Sequence, residues 1–341
     1  MAKRSQWYGI VLTLLALAIV YGVGTTFFTV ELERLVERTV TPRIMASSGV
    51  ETMNREVYSG LDAFMASKHV RAIGYTCFAG VVFLALTGLI AQKRQLAFLG
   101  SFGFILPIYA YFVLHMSFLA GLGVLTALWA PLWGDVVHLG DVAYVPYMVL
   151  VYPLSLFGVD VRQSVAGLFI FLGMLIFVLG VLAWFYARFQ RKGMANFWVY
   201  RFARHPQYLG WILWSYGLML RVGLRHDTAL HQANPGASLP WVLSTLIIIC
   251  VALSEEIRMR HEQGEDYERY SNAAPFMVPL PAIGSRVISA PFKLVRGKER
   301  PETGLDLAWV FAIYLVVVCV LSLPFVVLGW PDCGGWAKWP F

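Results

Sequence analysis

Residues 163–187 read QSVAGLFIFLGMLIFVLGVLAWFYA and contain no charged side chain. A run of this length suits an α-helix that crosses a hydrocarbon core, which takes roughly 20 residues for about 30 Å. The segment that follows is basic and carries Arg188, Arg191, Lys192, Arg201 and Arg204. Because cytosolic loops are enriched in Lys and Arg, this end of the helix is predicted to face the cytosol.

The composition of the whole chain agrees with this interpretation. Of its 341 residues 58% are hydrophobic and 14% are charged, whereas a soluble domain carries about a quarter charged residues. The net charge of +7 lies mostly in loops, where it indicates orientation rather than nucleic-acid binding. The four cysteines have no CxxC spacing, so neither a disulfide framework nor a metal site is expected.

The apolar segments predict an all-α, polytopic membrane helix bundle with about eight or nine crossings. They lie near 8–30, 72–92, 96–115, 117–133, 142–158, 163–187, 207–221, 241–256 and 306–329. Lys93 and Arg94 mark the cytosolic side after the second segment, so an even number of crossings should separate them from Arg188. Four crossings, one for each of the segments 96–115, 117–133, 142–158 and 163–187, give the required even number. A single bent helix over 96–133 with a broken, re-entrant segment at 142–158, which holds Pro146 and Pro153, gives an even number too.

The order of segments divides the chain into five parts. Residues 1–30 form a retained anchor helix, and the basic residues at its start place the N-terminus in the cytosol. Residues 31–71 form a polar, partly amphipathic extracytosolic segment, and 72–160 add transmembrane helices. Residues 163–282 form the core that holds the candidate site. Residues 283–341 combine a surface segment with a last transmembrane helix; this helix and 31–71 are candidate docking surfaces for protein partners.

The longest cytosolic segment, 257–305, is charged first and rich in proline afterwards. This order predicts a short amphipathic helix from Gly264 through Tyr270, to which we assign no chemistry of its own. Because proline is disfavoured inside helices, an extended stretch on the membrane surface is expected to follow.

The entry into the helix at 207–221 combines charge with aromatic rings. Pro206 suits the first turn of a helix, where its missing N–H has no cost. The free N–H groups of that turn and Arg204 would attract an anion such as a carboxylate. Aromatic faces, which hold organic cations, surround the same point at Tyr200, Tyr208, Trp211 and Trp214. Such residues also serve as ordinary interfacial anchors, and that alternative stays open.

Adjacent carboxylates, Glu255 and Glu256, close the segment 241–256. At a helix C-terminus they would oppose the helix dipole, so they need cationic partners. Arg258, Arg260 and, across the hairpin, Arg204 are the candidates. We expect Glu255 to bind the amine of a ligand and Glu256 to pair with Arg260. A solvated salt-bridge cluster of little energetic value is the alternative.

These residues together resemble a known family. The run from Arg204-His205-Pro206 through Tyr208 and Gly210-Trp211, then Glu255-Glu256, Gly264-x-x-Tyr267-x-x-Tyr270 and Pro275…Pro279, is similar to the isoprenylcysteine carboxyl methyltransferases. That family belongs to a wider group of membrane methyltransferases that includes phospholipid methyltransferases. The resemblance covers about 163–282.

The resemblance implies a membrane enzyme that uses S-adenosylmethionine in a cytosol-facing pocket and methylates a lipidic or small acceptor. It implies a cofactor site lined by Tyr200, His205, Pro206, Gln207, Tyr208 and Glu255. From their charges and positions, Arg204 and Glu256 are the candidate catalytic residues. Where the isoprenylcysteine enzymes have an acceptor-contacting Arg, this chain has Val251, which argues against a prenylcysteine carboxylate as acceptor.

Two other functions compete with methyl transfer. The first is a non-catalytic subunit of a membrane complex, in which the altered segment 192–200 marks a decayed site. The second is an NADPH-dependent reductase, because membrane sterol reductases have a related helix architecture. Those reductases favour a different pattern where this chain has Gly264 to Ser271.

Overall fold

The computed structural model describes residues 67–101, 103–104, 141–158, 161–190, 194–223, 238–278, 280 and 282–327. These residues are helical or form short connections, and none of them lies in a β-strand. The all-α class is therefore confirmed for this part of the chain. The predictions for 1–30, for 31–66, for most of 96–133 and for the tail after residue 327 lie outside the described residues.

Eight α-helices have both ends within the described ranges. They are α1 (Lys68–Ile90), α2 (Val145–Ser155), α3 (Arg162–Phe189), α4 (Pro206–Gly223), α5 (Ser238–Gln263), α6 (Glu265–Ala273), α7 (Ala282–Arg296) and α8 (Gly304–Val327). Short 3-10 helices at Asp141–Tyr144 and Trp198–Arg201 lead towards α2 and α4. Residues 94–101 are also helical.

Three of the described helices are long and apolar enough to cross a membrane: Lys68–Ile90, Arg162–Phe189 and Gly304–Leu323. They indicate a membrane protein with several crossings. The larger number of eight or nine crossings and the orientation of the chain stay predictions. Helix α2 has 11 residues and at 1.5 Å per residue is too short to cross the core of about 30 Å. Its length favours the alternative in which 142–158 does not cross.

Two apolar clusters hold the helices together. One joins α2, α3, α4 and the start of α5 around Tyr147, Ile170, Met219 and Val242. The other joins α1, α5, α7 and α8 around Leu89, Ile247, Val251, Phe292 and Leu307. Helix α5 contributes to both clusters and carries the two glutamates towards its far end. The candidate site therefore stands on a helix that is packed on both sides.

Helices α3 and α4 approach each other more closely than side chains normally permit. A Cβ atom built on Gly210 would lie 2.5 Å from the Phe177 backbone nitrogen and 2.7 Å from the Gly173 carbonyl oxygen. The atoms nearest to this added Cβ all belong to the backbone of α3, so no flexible side chain could move to make room for it. The glycines in this interface therefore let α4 lie directly on α3, which fixes the position of the Arg204–Tyr208 segment at the start of α4.

We expect Gly210→Ala to destabilise the protein by about 1–3 kcal/mol, because an overpacked interface forces backbone shifts. The matched control is Gly167→Ala in α3, where an added Cβ meets no atom within 4 Å. That change should be neutral or slightly stabilising, since Ala favours a helix interior over Gly. Thermal midpoints in one detergent would compare the two variants. Equal midpoints would contradict the close packing of α3 and α4.

The structure corrects the end of the helix that carries the glutamates. We predicted that the segment ends at Glu256, but α5 continues to Gln263. Glu255 and Glu256 thus lie well before the helix end and are less exposed to the helix dipole. Ion pairs four residues apart, Glu256 with Arg260 and Arg258 with Glu262, stabilise the charged last turns of the helix. Gly264 then separates α5 from α6 with φ 53°.

The structure also corrects the stretch after α6. The short helix through Tyr270 is confirmed as Glu265–Ala273. The proline-rich stretch beyond it is not extended, because residues 282–296 form α7 with Pro291 inside the helix. Apolar residues recur there at the helical period, and this pattern prevails over the single internal proline. The surface segment is therefore largely a helix.

Helix α8 begins at Gly304 because of a capping box. The Thr303 hydroxyl accepts from the Asp306 backbone N–H at 3.2 Å, and the Asp306 carboxylate accepts from the Thr303 N–H at 3.1 Å. Such reciprocal bonds satisfy the donors that every helix start leaves open. Asp306 is buried and also pairs with Arg296 and Lys298 at 2.9 and 3.2 Å. The cap therefore ties the end of α7 to the start of α8.

Candidate functional site

The candidate site is built where α5, α4 and the residues after α1 meet. Its charged members, which we call the ion-pair cluster, are Arg94, Arg204, His205, Glu255, Glu256 and Arg260. Arg204 and His205 stand immediately before Pro206, which opens α4 as predicted. The backbone N–H of Arg204 donates to the Pro275 carbonyl at 2.9 Å. This bond fixes the segment before α4 against the loop after α6.

Glu256 is the buried centre of the cluster, with 3% of its surface exposed. Its carboxylate lies 2.9 Å from the Arg204 guanidinium and 3.3 Å from that of Arg260. The His205 Nε2 atom lies 3.2 Å from it, and the Tyr267 phenol lies near it. The predicted pairing of Glu256 with Arg260 is confirmed, and Arg204 reaches Glu256 across the hairpin. Both carboxylate oxygens of Glu256 thus contact groups of the protein.

Glu255 has a more open environment, with 27% of its side chain exposed. It forms an ion pair with Arg94, whose side chain is 33% exposed. The His205 Nδ1 atom lies 3.8 Å from it, and the Tyr208 phenol lies near it. Arg258, a predicted partner, instead pairs with Glu262 at 3.7 Å. An accessible carboxylate and an accessible guanidinium therefore lie side by side.

The cluster holds three arginines and two glutamates. Leaving His205 out of the count, the cluster has one positive charge in excess. Among the described residues, its Arg204 Nε and Arg260 Nε atoms are buried without a hydrogen-bond partner, so the two carboxylates do not satisfy all the donors of these guanidinium groups. An additional anion would therefore be stabilised here, provided that it reaches the exposed side at Arg94.

Aromatic side chains enclose the cluster. The Phe276 ring lies 5.1 Å from the His205 ring and 5.9 Å from the Arg204 guanidinium carbon. The His205 and Tyr208 rings lie 5.8 Å apart. The Tyr270 hydroxyl donates to the Tyr200 carbonyl at 2.8 Å. These contacts place the 3-10 helix before α4, the start of α4 and the loop after α6 around one point.

Three phenols near the cluster keep their protons across the physiological range. Burial raises the pKa of Tyr200 and Tyr270 above the ordinary value for tyrosine. Burial, and then the Glu256 carboxylate beside it, raise the pKa of Tyr267. A protonated phenol can donate a hydrogen bond, so Tyr267 can stabilise the nearby Glu256 carboxylate without adding charge.

The structure brings most of the predicted site residues together. Tyr200, Arg204, His205, Tyr208, Glu255 and Glu256 surround the cluster, with Pro206 opening the helix between them. Gln207 is the exception. Its Cγ lies 3.0 Å from the position of a Cβ on Gly180, so the side chain packs against α3. The predicted aromatic face continues along α4, where the Trp211 and Trp214 rings lie 5.0 Å apart.

Sequence reasoning missed three contributors to the site. Arg94 was used only to assign the orientation of the chain, and it lies 161 positions from Glu255. Phe276 lies inside the Pro275…Pro279 pattern, but no signal marked its ring. Tyr267 was placed on a helix without chemistry, although it contacts Glu256. One signal pointed towards Arg94: the sequence predicts that Lys93, Arg94 and the end of α5 all lie on the cytosolic side of the membrane.

Comparison with known proteins gives no further guidance, since no family model, no curated protein and no solved structure matches the chain. The methyltransferase resemblance therefore depends on the quoted motifs alone.

Proposed function

We propose that the chain is an integral membrane methyltransferase that uses S-adenosylmethionine and acts on a lipidic or small acceptor. The observation that carries the proposal is the partly exposed Glu255–Arg94 pair beside His205 and Tyr208. A carboxylate and a guanidinium side by side suit a ligand that carries both an ammonium and a carboxylate. The amino-acid end of S-adenosylmethionine has this chemistry.

Each residue then has a role that follows from its surroundings. Glu255 binds the ligand ammonium, and Arg94 turns from Glu255 to the ligand carboxylate. The Tyr208 phenol near Glu255 forms one wall of the ligand site. S-adenosylmethionine supplies an activated methyl group when it is bound. The ion-pair cluster consists of charged groups with aromatic rings around them, which do not suit an apolar chain. In the proposal, a lipid-like acceptor therefore reaches the site from the hydrocarbon core of the membrane.

Glu256 and Arg204 act as positioning residues in this proposal. Glu256 is enclosed by protein groups, so it holds Arg204 and His205 in place rather than contacting a ligand. Methyl transfer to a carboxylate or thiolate needs no general base, and transfer to an amine needs only that the amine is neutral. Orientation and exclusion of water can supply most of the acceleration.

Equilibrium binding to the purified full-length protein in lipid nanodiscs tests the proposal. We expect radiolabelled S-adenosylmethionine to bind saturably and S-adenosylhomocysteine, but not NADPH, to displace it. Glu262→Gln is the matched control on the same helix, since Glu262 is exposed and away from the cluster. It should bind as the natural protein does. Absence of saturable binding, or displacement by NADPH, would contradict the methyltransferase proposal.

One observation favours a different function. The same Arg94–Glu255 pair can be a structural link between α5 and the residues after α1, as in a non-catalytic subunit of a membrane complex. In that case the cluster would bind no cofactor, and the chain would co-purify with stable partners. The charge-exchange experiment described below separates the two functions.

A further inference from the structure

Helix α7 carries an apolar stripe that nothing in the described structure covers. Val287 is 65% and Leu294 84% exposed, and Ile288 and Val295 are 53% and 57% exposed. These four residues are spaced by one, six and one positions, which places them on one face of the helix. Such a stripe in water would be an unfavourable surface.

The stripe is held on the outside of the protein. Phe292, on the adjoining face of α7, is buried with 3% of its surface exposed and packs in the cluster that contains Leu307. The Tyr314 hydroxyl donates to the Ile288 carbonyl, and Arg296 is paired with Asp306 in the cap of α8. These contacts fix the rotation of α7, so the stripe cannot turn inward against α8.

The opposite side of α7 and the turn after it are basic. Residues 286–300 contain five basic residues and a single acidic one: Arg286, Lys293, Arg296, Lys298 and Arg300 against Glu299. Lys293 pairs with Glu299 at 2.6 Å, but both side chains are largely exposed. A helix with an apolar stripe and a basic opposite face is typical of the membrane interface.

The stripe is also next to a membrane-spanning helix. Helix α7 packs on α8, and the start of α8 presents Leu305 and Trp309, which are 54% and 41% exposed. The Arg296 guanidinium carbon lies 5.7 Å from the Trp309 ring. Tryptophan is enriched at the boundary between headgroups and acyl chains. The apolar surface of the spanning helix thus continues onto α7 at this boundary.

We propose that α7 is an interfacial helix that lies in the membrane leaflet at the end where α1 stops and α8 begins. Its 15 residues correspond to about 22 Å, too short to cross the hydrocarbon core. Val287, Ile288, Leu294 and Val295 lie among the acyl chains, and the basic side chains lie among the phosphate headgroups. This proposal is independent of the proposed enzymatic function.

Site-directed spin labelling of the full chain in phospholipid nanodiscs tests the proposal. The four native cysteines are first replaced: Cys77, Cys250, Cys319 and Cys333. Single cysteines are then introduced at Val287 or Leu294 in the stripe, and at Arg286 or Lys293 as matched controls on the polar side. All four positions are exposed, so the labels should not disturb the core.

We expect the ratio of collisions with oxygen, which concentrates in lipid, to collisions with a water-soluble nickel chelate to be several-fold higher at the stripe than at the controls. Equal ratios at all four positions would mean that the stripe faces water and would overturn the proposal. Strong dipolar broadening between stripe labels on two chains would also overturn it, because a second copy would then cover the stripe.

Discussion

Glu256→Gln is expected to destabilise the protein by about 3 kcal/mol, because removal of one partner leaves the other buried charges unpaired. The Glu256 carboxylate compensates Arg204 and Arg260, whose side chains are only 12% and 21% exposed. The amide of glutamine keeps the volume but loses the charge. Unfolding in mixed micelles of a mild detergent and sodium dodecyl sulfate, followed by tryptophan fluorescence, would measure the difference.

Glu262→Gln on the same helix is the control for this experiment. Glu262 pairs with Arg258 at 3.7 Å, and both side chains are about half exposed. Exposed pairs contribute about 0–1 kcal/mol, so this variant should unfold close to the natural protein. If Glu256→Gln lost no more stability than Glu262→Gln, the cluster would not be the buried ionic centre described above.

The second large effect concerns binding. Glu255→Gln is expected to weaken S-adenosylmethionine binding by roughly tenfold to a hundredfold, since a hydrogen bond to a charged group contributes about 1.5–3 kcal/mol. The same variant should change stability by less than Glu256→Gln, because Glu255 and Arg94 are partly exposed and exposed ion pairs contribute little to stability. Equilibrium binding and micelle unfolding on the same preparations would measure both quantities.

Exchanging the two charges separates ligand binding from a structural link. The double variant that combines Arg94→Glu with Glu255→Arg re-forms the ion pair with its charges exchanged. The stability of this double variant should therefore be close to that of the natural protein. Binding should stay weak, because the carboxylate would no longer lie beside Tyr208 and His205. A Glu255→Gln variant that binds normally would contradict the assignment of Glu255, whereas a natural protein that binds no S-adenosylmethionine and co-purifies with stable partners would favour a non-catalytic subunit.

Local pattern was sufficient to predict most helices and their types. The uninterrupted apolar run at 163–187 became α3, and the proline at 206 and the glycine at 264 mark helix boundaries as expected. Each of these features determines the structure of the few residues around it. Proline and glycine do so through backbone geometry, and the apolar run does so through its length relative to the hydrocarbon core. The end of α5 was predicted wrongly because its last turns depend on ion pairs rather than on apolar residues.

The composition of the site could be predicted in part. The structure does bring the motif residues from Tyr200 to Tyr208 close to the two glutamates. The residues just before α4 contact the second half of α5, where the glutamates lie. The pairing of Glu256 with Arg260 was predicted, but which of the two glutamates Arg204 would contact was not. Arg204 pairs with Glu256 rather than Glu255 because the loop after α6 fixes its backbone at Pro275. That constraint comes from a contact distant in the sequence.

By itself, the sequence determined the all-helical class, the apolar lengths that suit a membrane and the identity of the charged and aromatic residues near one helix end. Only the tertiary structure decided that Glu256 is enclosed while Glu255 stays accessible beside Arg94. The physical reason is that burial and charge pairing depend on distances between helices that are far apart in the chain. The packing of α5 against its neighbours sets those distances.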